Sequence, residues 1–426
     1  MTSETDSGVA PLRPWFSVMR QRNYLSFWLT SLLSNTGMWM SNLTVPVILY
    51  QITGTALWVG AFTLVNFLPT IVLGPVAGVI ADRFDRRHIL LITQVGMLLT
   101  SIGLLAMWLS GVNSPWVLMI PVFINGSLSA LNTPAFMAFV HDLVPRSLLR
   151  AAVNYNSIQF NLSRALGPVI AGLILATSGP GWALAVNCVS FLPLLVVLFF
   201  IRVTEPQILV KSAQRILTQF TSALKYIRHS SGIKLAIFGA VVGGLFGQPI
   251  FTMSIVLAHT VYHVGAMELG LLNMYLSLGA ISVIPLLAGK AKWFPLSRAM
   301  VWGLFGTAFG FLALTVVSNY YIASFIFYLT GAALILVMAG SATVVQMIVR
   351  NDMRGRVLSV RQMLFMGAIP IGAMTAGYIA DQVGVQVFLC AAGILLILSA
   401  IGMFVIPRRG VASLDDPHDE SKGETA

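Results

Sequence analysis

Charged residues are scarce in this sequence: of 426 residues only 9% are Asp, Glu, Lys or Arg, whereas 57% are hydrophobic and the mean hydropathy is +0.86. In a soluble domain about a quarter of the residues are charged, so water is excluded as the main solvent of this chain. Apolar runs recur from Tyr24 to Ile406, and about twelve of them reach the roughly 20 residues that a membrane-spanning helix needs. The sequence therefore predicts an all-α membrane protein.

Cysteine is nearly absent as well. Cys188 and Cys390 both lie in apolar runs, which argues against a disulfide framework or a cysteine metal cluster. No G-x-x-x-x-G-K-S/T phosphate loop occurs, so ATP hydrolysis on this chain is not expected. Paired acids and clustered histidines are missing from the apolar runs, which argues against a membrane enzyme. We expect neither a metal nor a cofactor, and no cleaved signal peptide, because the first apolar run is too long for one.

Basic residues are missing from one side of the predicted bundle. With spans placed on the apolar runs, every Lys and Arg except Arg164 falls on one face, in a terminal segment or in or beside every second connection, and the intervening connections, such as 112–114, contain none. By the positive-inside rule the basic face is cytoplasmic and both termini lie inside. The net charge of +11 then needs no nucleic-acid partner. The predicted spans are 24–50, 57–80, 88–110, 115–141, 147–177, 181–202, 234–261, 266–289, 297–317, 320–347, 356–380 and 384–406.

A long polar connection divides the spans six and six. Basic residues such as Lys225 alternate there with apolar ones such as Ile227, which favours an amphipathic helix at the membrane surface over an unstructured linker. Small residues recur between the fifth and eleventh spans, as at Gly172 and Gly377, and two related halves around a cavity are a transporter architecture. The predicted organisation is a cytoplasmic segment 1–23, a six-helix bundle 24–202, a linker 203–233, a second bundle 234–406 and a disordered cytoplasmic tail 407–426.

The ten residues from Gly78 to Arg87 follow the second span and read G-V-I-A-D-R-F-D-R-R. They resemble the G-x-x-x-D-R-x-x-R-R signature of the major facilitator superfamily, although Asp85 stands where many members carry glycine. The resemblance implies two pseudo-symmetric six-helix bundles, with Asp82 meeting the start of the eleventh span when the cytoplasmic gate is shut. Topogenic charges alone are the alternative. The gating residues implied here are Gly78, Asp82, Arg83, Arg86 and Arg87, with Arg354 and Arg356 across the gate.

The fifth span contains a second signature, R-A-L-G-P-V-I-A-G, from Arg164 to Gly172. It resembles the G-P-x-x-x-G antiporter motif of exporting members, and proline and glycine allow a bend and a close helix approach. Ordinary membrane packing is the alternative. Together with the run from Phe139 to Arg146, the resemblance narrows to the drug and siderophore exporter branch, which includes the macrolide efflux and enterobactin exporter families. It adds Gly167, Pro168 and Gly172 to the expected gating residues.

A polar stripe on the fifth span predicts where a substrate binds. Asn154, Ser157, Asn161 and Arg164 step by three, four and three residues, so they share one helix face. An unpaired cation inside a span should face water or a partner. We interpret Arg164 as a cavity residue that attracts an anionic or acceptor-rich part of the substrate, and an arginine held for packing alone is the alternative. The predicted substrate-binding residues are Arg164, Asn161, Asn154, Asn35, Asn42, Asn125, Asn132 and Gln248.

No Asp or Glu lies in the middle of a predicted span. The buried carboxylate that many proton-coupled members of the resembled superfamily keep in the first or fourth span is therefore absent. The remaining candidates for proton carriers lie at span ends and are Glu268, Asp381 and Asp142, with His141, His259 and His263 after them.

These observations and the resemblance predict a secondary exporter of drugs or amphipathic metabolites, working by alternating access and driven by protons. We expect a monomer in the lipid bilayer of the bacterial cytoplasmic membrane, with a small-molecule substrate. A siderophore is the alternative cargo. A membrane sensor or assembly protein without flux is the alternative of another class.

The predicted topology has a direct test. In a background with Cys188 and Cys390 changed to Ser, we expect a membrane-impermeant maleimide to label Asn113→Cys in intact cells and Ser147→Cys only after permeabilisation. The reason is that position 147 begins a span directly after a basic connection, whereas position 113 lies in an uncharged one. Labelling of Ser147→Cys from outside would overturn the orientation.

Overall fold

The computed structural model describes residues 14–201, 216–288 and 296–405, and every regular element in these ranges is a helix. The helices of the first half are α1 (Pro14–Met19), α2 (Arg22–Thr53), α3 (Ala56–Arg83), α4 (Arg86–Leu109), α5 (Pro115–Leu143), α6 (Leu149–Thr177) and α7 (Pro180–Phe200). Those of the second half are α8 (Ile216–His229), α9 (Ser231–Val242), α10 (Ile250–Thr260), α11 (Ala266–Ala288), α12 (Leu296–Val316), α13 (Tyr320–Ile348), α14 (Asn351–Val383) and α15 (Val385–Val405), and a π-helical turn joins α9 to α10.

Eleven spans in the described part of the chain are long and apolar enough to cross a membrane, the α9–α10 pair counting as one. The long helix outside this set is α2, whose 32 residues include many Ser, Thr and Asn. The all-helical membrane fold is confirmed, and the twelfth span remains a prediction that rests on α2. Some helices begin before their apolar run, because one or more polar turns at the N-terminal end are also helical. For example, α14 starts at Asn351.

Polar caps and glycines set several helix ends. The Asp85 carboxylate accepts hydrogen bonds from the backbone N–H groups of Arg87 (2.8 Å) and His88 (3.3 Å), so it caps the start of α4. This cap gives a local reason for an aspartate where the superfamily signature often has glycine. At Gly54 the backbone φ is +69°, a left-handed conformation that ends α2 before the turn into α3.

Within each half, glycines bring helix backbones together. A Cβ atom at Gly331 of α13 would lie 1.8 Å from the carbonyl oxygen of Leu276 in α11, and one at Gly126 of α5 would lie 2.3 Å from that of Asn66 in α3. Helices in lipid gain little from hydrophobic burial against one another, so close backbone packing stabilises such bundles.

Part of the central connection, Ile216–His229, is helical and forms α8, and its location at the membrane surface stays a prediction. Its buried Ala223 and Ile227 pack against Ile233 of α9, Val345 of α13 and Val357 of α14. The connection before it, 202–215, lies outside the described residues, as do 1–13, 289–295 and the predicted tail.

Arg361 corrects one prediction. The sequence places it on the basic face and leaves Arg164 as the basic residue inside a span, but Arg361 is only 5% exposed, within α14. Its Nε donates to Ser341 Oγ (2.8 Å) and its Nη2 to the Met338 carbonyl (2.8 Å). Ser341 in turn donates to the Ala236 carbonyl (2.6 Å), so the chain of bonds ties α14 to α13 and α9. Both acceptors belong to another helix, α13, so the sequence around Arg361 did not reveal them.

We expect Arg361→Met to lower the free energy of unfolding by about 1–3 kcal/mol, because buried hydrogen-bond partners are left unsatisfied. Thermal unfolding in detergent measures this loss. Arg298→Met, at an exposed arginine of α12, is the matched control and should leave the midpoint unchanged. Equal midpoints for both variants would contradict a structural role for Arg361.

Candidate functional site: the cleft between the halves

The two halves meet tightly at one end of the bundle, through α3 and α14. A Cβ atom at Gly60 would lie 2.4 Å from the Ala373 carbonyl oxygen, and one at Gly377 would lie 2.4 Å from that of Ala56. We call this the closed end. Arg83, the last residue of α3, lies at the opposite end of the bundle. We call that opposite end the basic end.

A second pair, α6 and α11, seals the closed end from the other side. A Cβ atom at Gly172 would lie 2.5 Å from the Ala266 carbonyl oxygen, and one at Gly270 would lie 2.5 Å from the Pro168 carbonyl oxygen. Gly167 instead packs on α2, where a Cβ atom would lie 2.4 Å from Trp39 Cβ. The structure therefore places two of the residues expected in the antiporter signature, Pro168 and Gly172, at the contact between the halves.

A carboxylate bridges the halves at the closed end. Asp381 of α14 accepts hydrogen bonds from the backbone N–H groups of Ala56 (2.6 Å) and Leu57 (2.8 Å), the first residues of α3. These N–H groups have no partner within their own helix, and the helix dipole favours an anion there. The rings of Tyr50 and His259, also from opposite halves, lie 5.4 Å apart. We call the Asp381 contact the Asp381 latch.

Asp381 was predicted from the sequence only as a possible proton carrier, and the latch was not predicted. A signal was present: Gly377 to Asp381 reads G-Y-I-A-D, which repeats the G-V-I-A-D of Gly78 to Asp82. The same short motif thus ends α3 at the basic end and lies near the end of α14 at the closed end.

At the basic end the same two helices are apart. A Cβ atom at Gly74 or Gly78 of α3, or at Gly355 of α14, would meet no atom of the described residues within 4 Å. Asp82 and Arg354 are exposed, and Asp82 has no hydrogen bond or ion pair among the residues described. The expected contact between Asp82 and the start of α14 is therefore not made in this conformation.

Other arginines of the expected gate are engaged locally. Arg86 lies 2.6 Å from Asp142 in an ion pair between α4 and α5, and Arg87 donates to the Leu198 carbonyl of α7 (2.7 Å). Arg356 donates to Ser222 Oγ of α8 (3.4 Å). Asp142, expected as a possible proton carrier, is thus held in an ion pair.

The predicted polar stripe of α6 runs along the cleft. Pro168 and Gly172 touch the other half at the closed end, and the Arg164 guanidinium lies 4.5 Å from the centroid of the Phe251 ring in α10, also in the other half. Toward the basic end, Asn154 and Ser157 are exposed. This face of α6 is therefore covered by the other half at the closed end and exposed toward the basic end. Arg164 lies at the inner limit of the exposed part.

Two other predicted substrate residues point elsewhere. The side-chain amide of Asn125 donates to Thr100 (3.2 Å) and that of Asn132 donates to Thr93 (2.8 Å), so both face α4 within the first half. Asn42 and Asn125 line a small cavity of about 20 Å³ there, together with Asn66 and Asn187. Asn35, Asn161 and Gln248 are partly buried, and Gln248 lies three residues before Phe251.

The buried polar face of α6 was not predicted. Asn156 is 6% exposed and Gln159 is 1% exposed, and they lie away from the Asn154 stripe. Their spacing of three residues is itself a helical period that could have been noticed. No group of three or more His, Cys, Asp or Glu in the described part of the chain could hold a metal ion.

Comparison with known proteins identifies the family of this chain. A family model described as transmembrane secretion effector matches residues 13–422. The chain belongs to this family of major facilitator transporters. Proteins similar to it include the uncharacterized MFS-type transporter YfiS of Bacillus subtilis, which is 25% identical over 92% of this chain and 94% of that protein.

Two further relatives of this secretion-effector transporter carry functional names. Macrolide efflux protein A of Streptococcus pyogenes is 24% identical over 84% of this chain and 90% of that protein. The staphyloferrin A transporter of Staphylococcus aureus is 25% identical over 92% and 98%. Among solved structures, a bacterial homolog to the human lysosomal transporter Spinster, in an inward-facing and occupied conformation, matches with a TM-score of 0.72 at 14% identity, over 92% of this chain and 97% of that one. The major facilitator fold and the multi-pass membrane character are thus confirmed.

The Asp381 latch predicts how the closed end responds to mutation. We expect Asp381→Asn to loosen it, because the charge-assisted bonds to α3 are worth about 1.5–3 kcal/mol each. Spin labels at exposed Gln51 and Gln382 should then show an added population at longer distance by pulsed electron paramagnetic resonance. Asp85→Asn removes a carboxylate at the basic end that contacts only its own half, and it should leave the distances unchanged. Identical distributions in both variants would exclude the latch.

Proposed function

We propose that this transporter is a secondary active exporter that moves small amphipathic molecules, drugs or metabolites, out of the cell by alternating access. The observation that carries the proposal is the one-sided cleft, which is sealed by α3–α14 and α6–α11 at the closed end and open at the basic end. A cleft of this kind between two six-helix halves is what alternating access requires.

The proposal includes an orientation. Basic connections at one end of the bundle favour a cytoplasmic location for that end and for both termini. The conformation described here is then inward-facing in the bacterial inner membrane. Substrate enters the cleft from the cytoplasm and reaches Arg164 at its inner limit.

Export requires the opposite conformation, and the repeated G-x-I-A-D motif suggests its contacts. Releasing the Asp381 latch lets the outer ends of α3 and α14 separate. Asp82 then approaches the N–H groups at the start of α14, as Asp381 now approaches those of α3. Each state is stabilised by a carboxylate that caps a helix of the other half, so neither state needs a buried ion pair.

Proton coupling is part of the proposal. Of the three carboxylates expected as carriers, Asp142 is paired with Arg86 and Asp381 forms the latch. Glu268, near the closed end, is left as the carrier that we propose. The siderophore alternative draws support from the staphyloferrin A relative.

Purified protein in liposomes, with an imposed pH gradient, tests these statements together. A panel of dyes, antibiotics and siderophores should show gradient-dependent movement of at least one compound. A sensor or assembly protein would show no flux of any compound in the panel, and flux that ignores the gradient would exclude proton coupling.

We expect Asp82→Asn to lower transport by about ten-fold at normal expression, because it removes the charge that caps α14 in the outward-facing state. Initial rates in the same liposomes measure this effect. Asp85→Asn is the matched control, since asparagine also caps a helix well and α4 should remain intact. Equal rates for wild type and Asp82→Asn would remove Asp82 from the gate.

A further inference from the structure

Two buried hydrogen-bond donors meet at the inner limit of the cleft without an acceptor. Arg164 Nε and Trp39 Nε1 are both buried and have no partner among the residues described. The Arg164 guanidinium lies 5.6 Å from the centroid of the Trp39 ring and 4.5 Å from that of Phe251. The ring faces attract the positive charge, but they do not replace an oxygen acceptor in the plane of the N–H groups.

Arg361, the buried arginine of α14, shows what packing alone provides. Arg361 has a hydroxyl and a carbonyl acceptor, each at 2.8 Å. In the described part of the chain the buried Nε of Arg164 has no such acceptor, and the acidic residues there lie at or beyond helix ends, as Asp142 and Glu268 do. Leaving a buried charged donor unsatisfied is strongly unfavourable. A structural arginine would therefore be expected to have an acceptor such as those of Arg361, so this site is built for an acceptor supplied from outside the chain.

We propose that Arg164 and Trp39 form an anion-binding site that takes a carboxylate, or a similar planar oxyanion, attached to an aromatic or apolar body. The inference rests on the proposed export function and names its substrate class. A guanidinium matches a carboxylate with two parallel hydrogen bonds. Trp39 and Phe160, whose rings lie 5.9 Å apart edge to face, and Phe251 from the other half supply the apolar walls.

The position of the site also connects ligand binding to the halves. Arg164 belongs to α6 and lies one turn from Pro168, which touches α11, while Phe251 belongs to α10. A ligand held between Arg164 and Phe251 contacts both halves at once. Its affinity therefore depends on their relative position, as a transported substrate requires.

Three probes with one ring system test the charge preference: naphthalene-2-carboxylate, 2-naphthamide and 2-naphthylmethylammonium. Binding to the purified full-length protein is measured by titration calorimetry, and flux is measured in liposomes. We expect the carboxylate to bind about ten-fold or more tightly than the amide, and the ammonium to bind weakest. Arg164→Gln should remove the preference for the carboxylate and leave the amide affinity unchanged, and Arg164→Lys should retain part of it.

Arg150→Gln is the matched control, because it removes an exposed guanidinium from the same helix, and it should bind all three probes like the wild type. Thermal unfolding of Arg164→Gln near the wild-type midpoint shows that the variant is folded. Equal affinities for the three probes, no binding of any, or an unchanged carboxylate preference in Arg164→Gln would overturn the anion site. Flux of the amide with no carboxylate preference would overturn it while leaving export standing. Carboxylate binding that depends on Arg164 without flux would support the site and exclude export.

Discussion

Among the residues described, the two halves pack backbone against backbone at one end of the bundle, and this packing depends on glycines that let the helices approach closely. Gly60 and Gly377 bring α3 and α14 together, and Gly172 and Gly270 do the same for α6 and α11. A side chain at any of these positions would hold the helices apart. Because lipid provides little hydrophobic drive between helices, such small-residue contacts decide which end of the cleft is sealed.

Electrostatics then distinguishes the two ends. At the closed end a carboxylate from one half satisfies N–H groups of the other, a contact that is local, polar and reversible. At the basic end the corresponding Asp82 makes no hydrogen bond or ion pair with the residues described, and the neighbouring Arg86 and Arg87 are bound to helices within their own half. In the proposed mechanism, arginines that stabilise one half internally keep their contacts while the halves move. The contacts that change between the two states are then those between a few carboxylates and the starts of the helices that they cap.

Much of the fold follows from the sequence because the bilayer imposes simple constraints. Apolar runs of sufficient length predicted the helices. The G-x-x-x-D-R-x-x-R-R and G-P-x-x-x-G motifs indicated the superfamily. The site was predicted less completely. The face of α6 that carries Arg164 follows from its period, but the period cannot show that Asn125 and Asn132 turn to α4. The amphipathic helix α8 was expected, whereas its packing on α9, α13 and α14 depends on which helices are neighbours.

The sequence by itself determined the solvent of this protein, the type of its secondary structure and its family, because hydropathy, charge placement and local motifs are properties of short segments. Only the tertiary structure decided which polar groups meet. It paired Asp381 with the start of α3, gave Arg361 its acceptors and, within the described part of the chain, gave none to the Nε of Arg164. These outcomes depend on contacts between residues far apart in the chain, and such contacts are fixed by the packing of whole helices rather than by any local pattern.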